Sequence, residues 1–403
     1  MAEDTIAIVG GGPAGSVAAE SLARGGRRVI LFEEKPGWEK PCGGGLTHRA
    51  LMEWPFLNQR CQERNWAGHC ELIAPSGRKA SFGLEQPLAI FSRQVLNGLL
   101  LERARAAGAE IVARRVLGVE GWAGDWRLHA SAGSYKASYV ILATGARTAF
   151  RTPFAQPFAP EDLMITAGYY IPGQSGVVRI QFLAGLEGYV WLFPRADHYS
   201  AGICGKLTSQ SSARLRATLE QSLTGFGMEF KGAPFYAHVL PSLRAETLRS
   251  RKICGEGWAL IGDAAGFVDP ITGEGLYYAM RSGELAAQAL LAERPDSYAA
   301  RVRKDFLPDL ETAASVADRF YSGSWMGQAV IERMVQFTAS SPSFRTLMCD
   351  MFAGTQGYSN LRRRLYRTLP AMLAEGLANA LHLPSSGPGV GADSPAEQAQ
   401  AAQ

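Results

Sequence analysis

Thr5-Ile-Ala-Ile-Val-Gly10-Gly11-Gly12-Pro13-Ala14-Gly15, an apolar-periodic stretch, and then Val29-Ile-Leu-Phe-Glu33 together decide the fold. A short β-branched strand runs into glycines spaced G-x-G-x-x-G, the chain turns into a helix, and an acid closes the next strand 23 residues after Gly10. That is a dinucleotide cradle in the context it requires. Gly10 permits the tight turn, Gly12 lets the backbone approach a pyrophosphate, and Gly15 allows close helix–strand packing. The free N–H groups and positive dipole end of the helix, opening at Pro13 and Ala14, face the phosphates. Glu33 is the expected acceptor from the ribose hydroxyls. Glu34 competes for that role, but Glu33 shares a strand face with Val29 and Leu31. The expected class is α/β, with a Rossmann-like domain.

The cradle alone does not distinguish NAD from FAD. A second signature lies far downstream: Trp258-Ala-Leu-Ile-Gly262-Asp263-Ala-Ala-Gly266-Phe-Val-Asp269-Pro270-Ile-Thr-Gly273-Glu274-Gly275-Leu276. It reads as a strand, a G-D-A-A-G turn, a Pro-containing loop, and G-E-G-L opening an Ala-rich helix that runs to about Leu291. Gly273 and Gly275 leave a helix N-terminus without side chains, so its N–H groups are free to face an electron-rich ring edge. The plain alternative is a strand–turn–helix in which Asp263 caps the turn.

In this combination of motifs the chain resembles the glutathione-reductase-like, para-hydroxybenzoate-hydroxylase-type flavoproteins, and within them the geranylgeranyl reductase family, over roughly residues 4–370. The resemblance implies FAD as cofactor. It implies that Asp263 binds the ribityl or pyrophosphate region and that Pro270, Gly273, Glu274, Gly275 and Leu276 lie against the isoalloxazine. Three further stretches match. Lys40-Pro-Cys42-Gly43-Gly44-Gly45-Leu46 resembles the family's cysteine-glycine loop beside the flavin. Ile90-Phe-Ser-Arg93-Gln-Val-Leu resembles the segment whose arginine reaches the cofactor. Gly188-Tyr189-Val-Trp191-Leu-Phe193-Pro-Arg195 resembles the reductase signature on a substrate-domain strand. Alternation puts Tyr189, Trp191 and Phe193 on one face, able to pave an apolar pocket; aromatics so spaced are also ordinary sheet core. Val140-Ile-Leu-Ala143-Thr144-Gly145-Ala resembles the strand end that returns beneath the FAD.

At 403 residues the chain exceeds one ordinary core, and 47% hydrophobic residues supply ample apolar area for two joined domains. The net charge of +4, without a basic array interleaved with aromatics, argues against nucleic acid. Six scattered cysteines show no C-x-x-C or His-paired spacing, so neither a disulfide framework nor a metal site is expected. The six histidines form no ligand pair. The acidic start enters a strand directly, which reads as a cytoplasmic chain without a secretory signal. No apolar run approaches the ~20 residues of a spanning helix.

The organisation reads as interleaved: residues 1–50, 88–150 and 250–292 form the FAD domain, with a helix from Arg93 to Gly108. Residues 51–87 and 151–249 form a strand-rich substrate domain, 293–383 a helical region, and 384–403 a disordered tail. In the helical region Leu361-Arg362-Arg363-Arg364-Leu-Tyr-Arg367 precedes the apolar 371–381 stretch. That pattern suits a peripheral contact with the inner face of a membrane. A helix docked by one face is the plainer reading and the one given more weight.

The mechanism implied is reduction of C=C bonds in an isoprenoid chain by hydride from reduced flavin, in a dry pocket around Cys42, Tyr189, Trp191, Phe193, Gly273 and Gly275. Cys42 reads equally well as a small buried turn residue. With one cradle only, an NADPH donor binds transiently or is replaced by a ferredoxin-type donor. The rival on the same scaffold is an FAD monooxygenase or halogenase; Lys79 mimics a halogenase lysine, but the Pro75-Ser-Gly turn makes it an exposed hairpin residue. A non-catalytic flavin-binding protein is the reading from another class.

Overall fold

The computed structural model describes residues 4–59, 63–146, 154, 156–325 and 327–380. The expected tail at 384–403 lies outside the described residues. Strands Thr5–Val9, Arg28–Phe32, Glu110–Val112, Tyr139–Leu142 and Trp258–Leu260 form a parallel sheet, with Cys254–Gly255 added antiparallel at its edge. Ile6, Ile8, Leu31, Val140 and Leu142 are all buried, as in a sheet covered on both faces. Helices Pro13–Arg24, Arg93–Ala106 and Leu276–Leu291 supply part of that cover. A three-stranded antiparallel sheet, Val116–Trp122, Asp125–Ala130 and Ser134–Ala137, joins the same core through Trp126 and Leu128.

A second sheet has eight strands, ordered Phe235–Pro241, Leu163–Pro172, His198–Lys206, Val190–Pro194, Val177–Gln181, Arg64–Ile73, Lys79–Phe91 and Gly45–Leu46. One part of it packs on helix Ser212–Gly225 through Leu215, Leu219 and Leu223. Phe82, Leu84 and Leu88 pack instead against Val335, Phe344, Leu347 and Met372 of the C-terminal helices Val330–Ser340, Pro342–Ala353 and Leu361–Ala380.

Two boundaries and one element differ from the sequence reading. The division placed at 87/88 falls inside the strand Lys79–Phe91, because the pairing with Arg64–Ile73 shifts register between Gly83 and Leu88, around Pro87, and then resumes. The helix beginning at Arg93 ends at Ala106 rather than Gly108, where a positive φ of 104° at Gly108 lets the chain turn away. The helical region also contains a small hairpin, Ser324–Trp325 with Gln328–Ala329.

Candidate active site

The end of the first strand builds one wall of a large cavity. Gly10 has φ +108°, and a Cβ there would stand 2.3 Å from the carbonyl oxygen of Ala143. A Cβ on Gly15 would stand 1.9 Å from the Gly10 oxygen, so the helix can approach its strand only with glycine here. Gly12 differs, for nothing lies within 4 Å of where its Cβ would be. It caps the helix without a side-chain partner, Pro13 follows, and no acid occupies the first turn, leaving N–H groups open to an anion. The Glu33 carboxylate folds back, accepting from the Gly11 N–H at 2.7 Å and the Lys35 N–H at 2.8 Å. Glu34 turns outward toward Arg115 at 3.7 Å.

Asp263 faces this cradle and meets Lys40 Nζ at 2.9 Å. Burial works to raise its pKa, but Lys40 outweighs it, with help from Arg93 and His238, and the carboxyl lies below its ordinary range. Ala143, Thr144 and Gly145 line the cavity beside it. Arg93 is buried and donates to Asn97 at 3.3 Å, while its Nε and the Thr144 hydroxyl have no partner among the described residues. Gly262 and Pro270 do not line the cavity. Gly262 serves packing instead: its N–H donates to Ser282 at 2.9 Å, and a Cβ would crowd Ala14 at 3.0 Å.

Cys42, Gly43 and Gly44 line the next part of the wall. The Cys42 carbonyl accepts from Arg195 at 2.6 Å and from Ser200 at 2.8 Å, and its sulfur accepts from the Gly44 N–H at 3.3 Å. The Phe193 ring lies over this loop, 2.8 Å from where a Gly43 Cβ would be. Tyr189, Trp191 and Phe193 all line the cavity, as alternation predicts. Trp191 is also core: it is buried, its indole N–H donates to Ser200 at 3.4 Å, and its ring fills the space a Gly202 side chain would need.

Opposite stands the loop entering helix Leu276–Leu291, with Gly273, Glu274, Gly275 and Leu276 in the wall. Glu274 Oε1 accepts from the Tyr277 N–H at 2.8 Å. Burial pushes its carboxyl up to about 7, and nearby Asp269 adds to the effect against the N–H groups of Tyr277 and Leu276.

Past the aromatic strand the cavity continues under the C-terminal helices, where Met334, Phe337, Phe344, Met348, Leu365 and Met372 line it. Its volume is about 1380 Å³, above the ~300–1,000 Å³ usual for a pocket holding one small ligand. The sequence reading treated these helices as separate from the site. Lys40, Glu39, Tyr321 and Tyr358 were also missed; only Lys40 lies in a recognisable motif, the cysteine-glycine stretch, and the others act through contacts distant in sequence. Lys79 is an exposed hairpin residue, 3.9 Å from Glu71.

An uncapped helix N-terminus beside a bare glycine, an acid folded onto the cradle, and unpartnered Arg93 and Thr144 atoms all fit a flavin adenine dinucleotide. A family model described as pyridine nucleotide-disulphide oxidoreductase matches residues 4–158. The chain is 30% identical over 304 residues to geranylgeranyl diphosphate reductase of Rhodobacter capsulatus, an alignment covering 71% of this chain and 74% of that one. It is 29% identical to digeranylgeranylglycerophospholipid reductase 1 of Methanopyrus kandleri, covering 86% and 96%. The fold is shared with a geranylgeranyl bacteriochlorophyll reductase-like protein of Thermoplasma acidophilum, with a TM-score of 0.73 at 20% identity over 94% of this chain and 99% of that one. The fold and site define an FAD-dependent oxidoreductase. Within that class, the chain belongs to the geranylgeranyl reductase family.

Proposed function

We propose that the protein reduces C=C bonds in the isoprenoid chain of an amphiphilic lipid. The observation that carries this reading is the single cavity joining the dinucleotide cradle, the aromatic strand and the apolar chamber under the C-terminal helices. FAD held there would supply, in its reduced form, the hydride for one alkene carbon, and a proton would complete the bond at the other. Gly10, Gly12, Gly15, Glu33, Arg93, Thr144 and Asp263 hold the cofactor, with Lys40 balancing the Asp263 charge. The Gly273 N–H is spent within the turn, donating to the Asp269 carbonyl at 2.9 Å, so the Gly275 N–H is the one that would face the electron-rich edge of the ring. Tyr189, Trp191 and Phe193 orient the chain, and the Met- and Phe-lined chamber keeps water from it. Cys42 shapes the loop facing the reacting carbon, since both hydrogen bonds to its carbonyl come from the aromatic-strand side.

Electrons arrive from NADPH bound transiently or from a ferredoxin-type donor, consistent with a single cradle in the sequence. The test is anaerobic reduction with dithionite, followed by separate mixing with geranylgeranyl compounds and with air. Reoxidation by the polyprenyl compound under argon is expected. A hydroperoxide spectrum in air, accelerated by an aromatic substrate and without any polyprenyl response, would establish the monooxygenase or halogenase reading instead.

The C-terminal helix gives this function a route to its substrate. Leu365, Tyr366 and Leu369 line the cavity, while Arg363, Arg367 and Leu373 of the same helix are exposed. That combination supports a reversible contact with an anionic membrane. No helix among the described residues is long and apolar enough to cross one.

A further inference from the structure

Three tyrosine hydroxyls from separate parts of the chain converge on the loop that leads into Gly273 and Gly275. Tyr358, which precedes the C-terminal helix, donates to Asp269 Oδ2 at 2.8 Å. Tyr321, near the end of helix Leu307–Ser322, donates to the Ile271 carbonyl at 2.6 Å. Tyr189, at the head of the aromatic strand, donates to the Thr272 carbonyl. Within the loop, buried Asp269 accepts from the Ile271 N–H at 2.8 Å and the Thr272 hydroxyl at 2.7 Å, and main-chain bonds join Asp269 to Gly273 and Glu274. Asp269, Ile271 and Thr272 of one tight turn are thus held from outside by side chains of the substrate sheet and the helical region.

The tyrosines also stand where a bound chain would be felt. Phe320, beside Tyr321, and Phe182, whose ring is 6.2 Å from that of Tyr189, both line the cavity and meet each other at 5.9 Å. Tyr358 itself is in the wall. Hydroxyl bonds to buried acceptors have directional geometry, so a small shift of any of these rings moves the carbonyl or carboxylate it holds.

We propose that Tyr189, Tyr321 and Tyr358 are positioning residues that set the 269–275 loop against the flavin and transmit occupancy of the lipid chamber to it. The proposal rests on the reading of that loop as the flavin's neighbour. A filled chamber presses the three rings into their bonded positions and fixes the turn, in which the Gly273 N–H is bonded to the Asp269 carbonyl, and with it the Gly275 N–H. An empty one leaves the turn looser, and the ring edge less well stabilised when its charge increases on reduction.

Tyr→Phe replacement at each position removes one oxygen and keeps the ring. The flavin midpoint potential and absorption spectrum are measured anaerobically with and without geranylgeranyl diphosphate, beside single-turnover reoxidation. In wild type, the lipid should shift both potential and spectrum. In Tyr321→Phe and Tyr358→Phe those shifts should be lost, with reoxidation slowed about tenfold and the substrate concentration for half-maximal rate unchanged. Tyr358→Phe also takes a donor from a buried acid; should it fail to fold, Tyr321→Phe, whose acceptor is a neutral carbonyl, carries the test. Unchanged spectra, potentials and lipid responses in the folded variants, with only a lower melting temperature, would overturn the proposal. A wild-type flavin that never responds to the polyprenyl lipid, although the Phe variants alter its spectrum without lipid, would instead reject the substrate reading, leave the loop-positioning role standing and overturn its coupling to a lipid chamber.

Discussion

Arg195 meets Glu39 at 2.8 Å with no part of the arginine side chain exposed. The pair joins three parts of the site. Arg195 follows the aromatic strand Val190–Pro194 and holds the Cys42 carbonyl, while Glu39 accepts from the Ser92 hydroxyl and from the N–H groups of Arg93 and Gln94 at the start of helix Arg93–Ala106. One ion pair therefore fixes the substrate strand relative to the cysteine-glycine loop and to Arg93.

Arg195→Met would leave that carboxylate with only its helix donors. Breaking a buried pair by removing one partner costs ~3–5 kcal/mol, and since Glu39 keeps some exposure the lower end, about 3 kcal/mol, is expected. Urea unfolding measures the loss, and FAD should dissociate more readily because Arg93 and Cys42 are no longer held together. A loss under ~1 kcal/mol, the size of a surface pair, with unchanged FAD affinity would show that the pair is peripheral.

Glu274 provides a pH signature of opposite sign to the usual carboxylate. Its folded-state pKa is raised to about 7, so the folded protein binds its proton more tightly than the unfolded chain, whose value is near 4.5. Its contribution to stability is fully present below pH 4.5 and is lost as pH rises through 7. Glu274→Gln should flatten this part of the stability profile and raise the melting temperature at pH 8 relative to wild type. Parallel profiles for the two proteins between pH 4.5 and 8 would contradict it.

The cradle glycines should separate by mechanism. Gly12→Val meets no protein atom within 4 Å, so the fold should survive while the branched side chain takes the space of the pyrophosphate. Gly15→Val drives a side chain into the Gly10 carbonyl and should lower stability with or without cofactor. Circular dichroism and flavin content of the two variants check this. Stoichiometric FAD in folded Gly12→Val would remove the cradle assignment.

Trp191 is buried and also lines the cavity, and the substitution must respect both positions. Trp191→Ala empties a buried site against Gly202 and should cost ~3–5 kcal/mol, which obscures any effect on substrate. Trp191→Phe keeps most of the ring volume. It should slow substrate-dependent flavin reoxidation several-fold with FAD affinity unchanged; if it alters only the melting temperature, the residue is sheet core alone.

The parts of this site visible in the sequence are those built from local backbone. Gly10 to Gly15 and Gly262 to Leu276 each form a turn whose geometry depends on residues a few positions apart, so spacing alone reveals them. The partners of those turns come from far along the chain: Glu39 needs Arg195, Asp269 needs Tyr358, and the lipid chamber needs helices beyond residue 330. No periodicity marks an arginine that will be buried or a tyrosine that will reach across 89 positions. The region after residue 293 reads as helical in the sequence, but which surface its helices cover depends on tertiary packing.

That packing changes the membrane experiment. Arg364, part of the basic cluster in the sequence, is engaged with Asp350 at 2.5 Å and Gln356 at 3.0 Å, so replacing it disturbs the fold. Arg362, Arg363 and Arg367 are the exposed members, and Tyr366 and Leu373 project beside them. Three cations near an anionic bilayer contribute about 1 kcal/mol each, enough for reversible association. The protein should co-sediment with phosphatidylserine-containing liposomes at low salt and leave them at high salt, because the attraction is screened. Arg362→Ala, Arg363→Ala and Arg367→Ala combined should abolish the association at unchanged FAD content. They should also slow reduction of a substrate presented in liposomes more than one presented in detergent. If wild type never co-sediments at low salt, the helix is a cavity wall only, and the lipid reaches the chamber without a membrane docking step.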